Sequence, residues 1–488
     1  MEDLILAIDQ GTSSTKALLM NVRGEVVAEG LADLETTYFP NGHVEQDPLA
    51  LMQSVESAVK ACLSGIDPKN IKGIGISNQR ETFVLWDAQG KPLSPAVVWA
   101  CKRSTAICEK LQDQNDWIKS RTGLLIDPYF SGTKVLWLLE NDPSLRQSLE
   151  AGELYFGTVD TWILFQLTHG RSFACDLTNA SRTLFFNLES LTWDTEILAR
   201  WGLSSLHLPV LKRSSDDFGQ TDLFGLAPDG IPVVAMIGDS HASMFGETCF
   251  TEGDTKMTLG TGCSLLMHVG NAPRVSTQGL LSTIAWSTQD EVAYAWEGAI
   301  VACGSMMEWL KKDMGILDDV RASASIAESV EEDPGVYLVP AFSGLGAPFW
   351  QMDRKASFVG MRFGTKPAHL IKATLESISF QIKAVVDAME ADFGTNIQQI
   401  AMHGGLSRNS YVQKCLQGLL AAPIHQQDNP HISAQGAAFL AGLQVGLYPN
   451  LKALKQLIQA DSLASTTSHK AIKVAYETWK EIIETNTY

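Results

Sequence analysis

Two Gly-Thr turns carry the first chemical signal in this sequence. Asp9, Gly11, Thr12, Ser13 and Lys16 fall within AIDQGTSSTKALL (7–19), which reads as a strand, a polar turn and a returning strand. Roughly half the chain later, TLGTGCSLLM repeats the pattern around Gly260-Thr261-Gly262. Glycine allows close backbone approach to a ligand, and the N–H groups of such turns cradle anions. Thr12 and Ser13 add hydroxyl donors and Lys16 a positive charge. Asp9 suits Mg²⁺ held through water, because that ion favours carboxylates and keeps part of its hydration shell. Taken singly, each turn reads equally well as an ordinary hairpin. Taken together, they suggest a nucleotide phosphate tail held from two sides, and so phosphoryl transfer.

Asp239 opens a small-residue helix directly after the apolar run Ile231–Ile237. A carboxylate at the C-terminal end of a strand is well placed to accept a proton from an attacking hydroxyl. A helix N-cap aspartate is the plainer alternative. Arg80 and Glu81 come after the strand Ile71–Ile76, where one donor and one acceptor suit a polyol; an ordinary surface ion pair has the same spelling. Trp99 and Tyr129 offer an apolar wall, although most such rings fill cores. The common nucleotide fingerprints are missing. Ser131-Gly132-Thr133-Lys134 lacks the upstream glycine of a P-loop, and Gly73-x-Gly75 lacks the third glycine of a dinucleotide turn.

The elements that must position these residues alternate between strand and helix, which predicts α/β architecture. Leu4–Asp9 reads as a strand with hairpin partners at Ala17–Asn21 and Val26–Leu31. Asp47-Pro48 starts a helix, with Leu51, Met52, Val55, Val59 and Cys62 at helical spacing behind it. The second half repeats the grammar: a strand at Thr255–Leu259, a helix over Ile371–Met389, and a strand at Ile400–Met402 entering His403-Gly404-Gly405. Gly436–Leu443 reads as a small-residue helix start mirroring Gly238–Phe245. The chain thus divides into two related halves, 1–247 and 248–488.

At 488 residues the chain exceeds one ordinary core. Its 37 basic and 55 acidic residues give a formal charge of −18, which argues against a nucleic-acid partner. Eight cysteines without Cys-x-x-Cys spacing fit a reduced compartment. Cysteines and histidines show no metal-ligand spacing. The start lacks the basic region of a secretory signal. The longest nearly apolar run, Gly436–Tyr448, is too short to span a bilayer. The expectation is a cytoplasmic protein with no membrane span.

Longer motifs carry a resemblance. Tyr129–Leu138 and the stretch from Ala356 through Gly360 and His369 to Glu376 resemble the two signatures of the FGGY carbohydrate kinases. GLLIDPYFSGTK, FGTVDTW, TNASRT and PAFSGLGAPFW resemble the branch of that family that phosphorylates glycerol. The resemblance implies two actin-like, ribonuclease H-like domains with ATP and substrate in the cleft between them. It implies ATP and Mg²⁺ as cofactors, a small polyol acceptor, and a homo-oligomer, dimer or tetramer. Asp9, Thr12, Ser13 and Lys16 would meet phosphates and metal, and Thr261 the phosphates from the other side. Gly304, Glu308, Gly405 and Asn409 would line the adenosine pocket. Arg80, Glu81, Tyr129 and Asp239 would hold the acceptor, with Asp239 as catalytic base and Trp99 as the wall read above.

Departures from the family pattern matter too. Ser240 stands where that branch has Gln, and Ser264 where it has Phe; both shrink a side chain beside the acceptor. That leaves glycerol as the leading acceptor and a four- or five-carbon polyol or ketose as the alternative. His403 replaces an Asp, and Glu308 a Gln. Gly230, in the 227–230 loop, stands where bacterial relatives inhibited by fructose 1,6-bisphosphate carry Arg, so that inhibition is expected to be absent. A non-catalytic actin-like nucleotide-binding regulator is the alternative from another class, disfavoured by the presence of Asp239.

Overall fold

The computed structural model describes residues 2–485 except 229, 332–334, 352, 428, 459–460 and 464–469. Asp229, in the 227–230 loop, therefore lies outside the described residues. Two mixed sheets carry the architecture. The first contains β1 (Leu4–Gln10), β2 (Ser14–Asn21), β3 (Val26–Asp33), β4 (Ile71–Asn78), β5 (Ser215–Thr221) and β6 (Ile231–Gly238). Its order is β5-β6-β4-β1-β2-β3. The run β1-β2-β3 is an antiparallel meander, while β4 is parallel to both β1 and β6. As a central strand, β1 is buried along nearly its whole length, which explains its continuous apolar spelling. Helix α1 (Pro48–Cys62) starts where the sequence predicts: the Asp47 side chain accepts the Leu49 N–H, and Pro48 occupies the first turn.

The second sheet contains β7 (Asp254–Leu259), β8 (Cys263–His268), β9 (Leu281–Ser287), β10 (Val292–Ile300), β11 (Gln399–His403), β12 (Ile424–Gln426) and β13 (Asp461–Ser462). Its order is β9-β10-β8-β7-β11-β12-β13. The hairpin β7-β8 beside parallel β11 repeats the hairpin β1-β2 beside parallel β4. Each Gly-Thr turn therefore closes a hairpin at the C-terminal end of a parallel strand.

Five helices matter for the site: α2 (Asp239–Gly246), α3 (Gly304–Lys312), α4 (Pro367–Phe393), α5 (Ser410–Leu419) and α6 (Ile432–Gln444). The expected helix start at Gly436 is wrong: α6 begins at Ile432, and Gly436 lies one turn inside it. A Cβ there would sit 1.9 Å from the Ala242 carbonyl oxygen of α2. The small residues mark a helix crossing, not a helix end. From this crossing α6 packs across β4, β1 and β6 of the first sheet. Ala437, Leu440 and Ala441 join Ile5, Ala7, Leu18 and Met20 in one apolar cluster. Among the described residues, no helix is long and apolar enough to cross a membrane.

Candidate active site

Strand register gathers the residues expected at the acceptor. Gln10 is level with Asn78, and Asn78 with Gly238. The segments that leave these three strands therefore emerge at one sheet edge: Gly11–Ser13, Gln79–Glu81 and Asp239. The helix at Leu177–Ala180 secures that edge. Asn179 and Asn78 exchange two amide hydrogen bonds at 2.9 Å, and the Gly238 N–H donates to the Thr178 hydroxyl at 2.9 Å.

Arg80 and Glu81 are neither on the surface nor paired with each other. Glu81 adopts φ +59, in the left-handed region, and its carboxylate is taken by another arginine. Arg80 donates to Glu297 at 2.7 and 3.2 Å, and its Nε lies 3.5 Å from Asp239 Oδ1. Arg182 donates to Glu81 at 2.6 Å and lies 2.7 Å from Glu297. The result is a buried chain of alternating charge, Arg80–Glu297–Arg182–Glu81. Burial works against ionising Glu297, yet the Arg182 and Arg80 guanidiniums hold its carboxyl well below the usual carboxylate range. Trp99 and Tyr129 meet edge to face at 5.9 Å beside this cluster. Trp99 is 37% exposed, so it is not core filling.

Asp239 is not the N-cap of α2. Gly238 holds that position, and no side chain caps the helix. The carboxylate instead accepts the Ser240 N–H at 2.6 Å, with its side chain 41% exposed. Desolvation by the surrounding protein raises its carboxyl, opposed by Arg80, by the Ser240 N–H and by Lys256. That suits a group that must take up a proton. Ser240 accepts from Lys256 Nζ at 3.3 Å, and Ser264 donates to Glu297 at 3.3 Å. Both small hydroxyls are thus tied to buried charges.

The first Gly-Thr turn is held from several directions. The Thr12 carbonyl accepts from Thr36 and Gln46, each at 2.7 Å, and the Thr12 hydroxyl accepts from the Trp99 indole at 3.0 Å. Ser13 is exposed, and Lys16 reaches the Pro430 carbonyl at 3.3 Å. Asp9 accepts from Ser77 at 2.9 Å. Burial raises its carboxyl to about 6, and the Asp239 charge adds to the shift. A buried carboxyl whose ionisation the Asp239 charge opposes could hold a cation at Asp9. Among the described residues, no cluster of three or more His, Cys, Asp or Glu could hold a metal. A magnesium ion held by one carboxylate, nucleotide phosphates and water does not require one.

The second turn rests on α3. Cys303 and Ser305 donate to the Thr261 carbonyl at 3.1 Å, and Gly304 to the Gly260 carbonyl at 3.0 Å. Beside it is a cavity of about 530 Å³ lined by Gly260, Thr261, Gly304, Glu308 and Gly405 among others. Next to Gly405, Gly404 adopts φ +104, where a Cβ would meet the Leu259 carbonyl at 2.4 Å. Glu308 pairs with Lys312 at 3.0 Å on the exposed rim. Asn409 does not line the cavity; it caps α5 and donates to Ser323 at 3.0 Å. His403 bridges the Thr258 hydroxyl at 2.9 Å and Glu247 at 2.8 Å. Residue patterns missed Glu297, Arg182, Lys256 and Gln79. Of these only Arg182 lies in one of the long motifs, TNASRT, with no role attached.

Comparison with known proteins agrees with this geometry. The model of the FGGY family of carbohydrate kinases, N-terminal domain, matches residues 4–246, and that of the C-terminal domain matches 255–445. The chain is 40% identical to the glycerol kinase of Bacillus cytotoxicus over 99% of both proteins. It is 38% identical to that of Vibrio cholerae over 98% of this chain and 96% of the relative. The crystal structure of Plasmodium falciparum glycerol kinase with ADP superimposes with a TM-score of 0.91 at 32% identity, covering 100% of this chain and 99% of that one. Matched in both halves and alike in fold from end to end, the chain belongs to the FGGY family of carbohydrate kinases.

Proposed function

We propose that the protein transfers the terminal phosphoryl group of ATP to a terminal hydroxyl of glycerol. The observation that carries this reading is the half-open Asp239 carboxylate, raised by its surroundings and set between Arg80 and the Asp9 turn. Residues 1–247 supply the acceptor side and the first phosphate turn, and residues 248–488 supply the nucleotide cavity. Arg80, Glu81, Trp99 and Tyr129 hold the acceptor. Asp239 orients its hydroxyl and takes up the proton as the oxygen attacks phosphorus. Thr12, Ser13, Lys16 and Thr261 donate to phosphate oxygens, and Gly304, Glu308 and Gly405 set the nucleotide end. Asp9 would hold Mg²⁺ through water, and the ion, when bound, neutralises phosphate charge.

A four- or five-carbon polyol or ketose is the second reading. It is favoured by Ser240 and Ser264, which present hydroxyls bonded to Lys256 and Glu297 where larger side chains would narrow the pocket. ADP release across glycerol, tetritols, pentitols and ketopentoses at fixed ATP separates the two. With the acceptor that this panel selects, Asp239→Asn lowers turnover by about 10²-fold or more while nucleotide still binds. Near-normal turnover of that variant refutes the role.

A further inference from the structure

We propose that Trp99 couples the two substrates: its ring meets the acceptor while its N–H sets the proton of the Thr12 hydroxyl on the phosphate turn. This rests on the kinase reading of the site. The Thr12 hydroxyl has one proton to give. Its oxygen accepts the Trp99 indole N–H at 3.0 Å. The internal acceptor for its own proton, Gln79 Oε1, lies at 3.5 Å and already accepts the Thr82 hydroxyl at 2.9 Å. With the indole in place, the Thr12 proton is held only by this long bond to Gln79, and a phosphate oxygen entering the turn would accept it instead. Without the indole, that hydroxyl is free to turn.

Neither backbone can absorb the difference. The Thr12 carbonyl is held by Thr36 and Gln46. The Trp99 backbone N–H donates to Thr82 at 3.1 Å, and the Trp99 carbonyl accepts the buried Lys134 ammonium at 3.1 Å. That same ammonium holds the Tyr129 carbonyl at 2.9 Å, so one cation fixes both members of the acceptor wall. The indole is the half-open part of this assembly. An acceptor packed against its ring confines it, and so orders the donor that nucleotide phosphate needs. Coupling of this kind is reciprocal in binding.

Calorimetry on the full chain tests this, using a non-hydrolysable ATP analogue with and without a saturating acceptor chosen by the ADP-release panel. In the wild type the acceptor tightens analogue binding by about fivefold or more. In Trp99→Phe, which keeps a ring and loses the N–H, the ratio collapses towards one. Thr12→Ser retains the coupling and Thr12→Val loses it, which decides the matter even if Trp99→Phe does not fold. Full coupling in Trp99→Phe or Thr12→Val overturns the proposal. So does a wild type that turns over the acceptor yet shows no coupling. If no acceptor in the panel releases ADP, the kinase reading itself fails, and this proposal with it.

Discussion

Replacing Glu297 with Gln tests the buried charge chain at its centre. The carboxylate accepts Arg80 at 2.7 and 3.2 Å and lies 2.7 Å from Arg182, and both it and the Arg182 side chain are fully buried. Gln keeps the shape and one acceptor but removes the negative charge, leaving Arg80 and Arg182 with only Glu81 inside the chain. Breaking a buried pair costs about 3–5 kcal/mol, and the retained acceptor puts Glu297→Gln near about 3 kcal/mol. A second effect arises at Arg80 Nε, 3.5 Å from Asp239. Released from Glu297, the guanidinium strengthens its hold on the Asp239 carboxylate, which becomes a poorer proton acceptor. Turnover should fall by about 10²-fold, the low end of what a positioned base contributes. Urea denaturation monitored by tryptophan fluorescence reads the first effect, and ADP release under saturating substrates reads the second. A loss below about 1 kcal/mol, as for an exposed pair, together with unchanged turnover would refute the reasoning.

Two further perturbations probe the scaffold and the phosphate turn. Gly436→Ala places a methyl group against the Ala242 carbonyl, a backbone atom that cannot rotate away; the expected loss is about 1–3 kcal/mol, and an unchanged denaturation midpoint would show that α6 does not depend on this contact. The Asp9 carboxyl is raised from 3.8 to about 6 in the fold, so the native state binds its proton more tightly than the unfolded chain does. Stability is therefore lost as pH rises through that interval, and the penalty is complete above about 6. Asp9→Asn removes it, raising the midpoint at about pH 8 and less at about pH 5, while losing activity; a lower midpoint at the higher pH would contradict this.

What the sequence discloses here is local. The hairpins, the Asp47-Pro48 helix start and the turn residues each depend on neighbours within a few positions, and each is found as spelled. Glu297 was invisible because it sits within VAYAWEGAI, an ordinary strand, while its partner Arg80 is 217 residues away. The Trp99–Thr12 bond spans 87 residues and has no spacing signature. Gly436 misled for a related reason. Its run of small residues reads as a helix start like that at Gly238, whereas this glycine lies inside the helix and clears space for another one. Asp239 was legible as a chemical group but not as uncapped, since capping depends on which way a short side chain turns.

The crossing of α2 and α6 also bears on how the chain is made. Ser243 and Ser433, joined at 2.9 Å across it, are 190 residues apart. At roughly 5–20 residues per second of synthesis, about 10–40 s separate the emergence of the two. Throughout that interval Ile5, Ala7, Leu18 and Met20 lack the helix that covers them. The first-made half is thus an unfinished object with a bare apolar face, and a ribosome stalled before Ile432 would present that face to every other chain in the cell. Residues 1–247 expressed alone are expected to expose that face, and a soluble, cooperatively unfolding fragment would count against this reading.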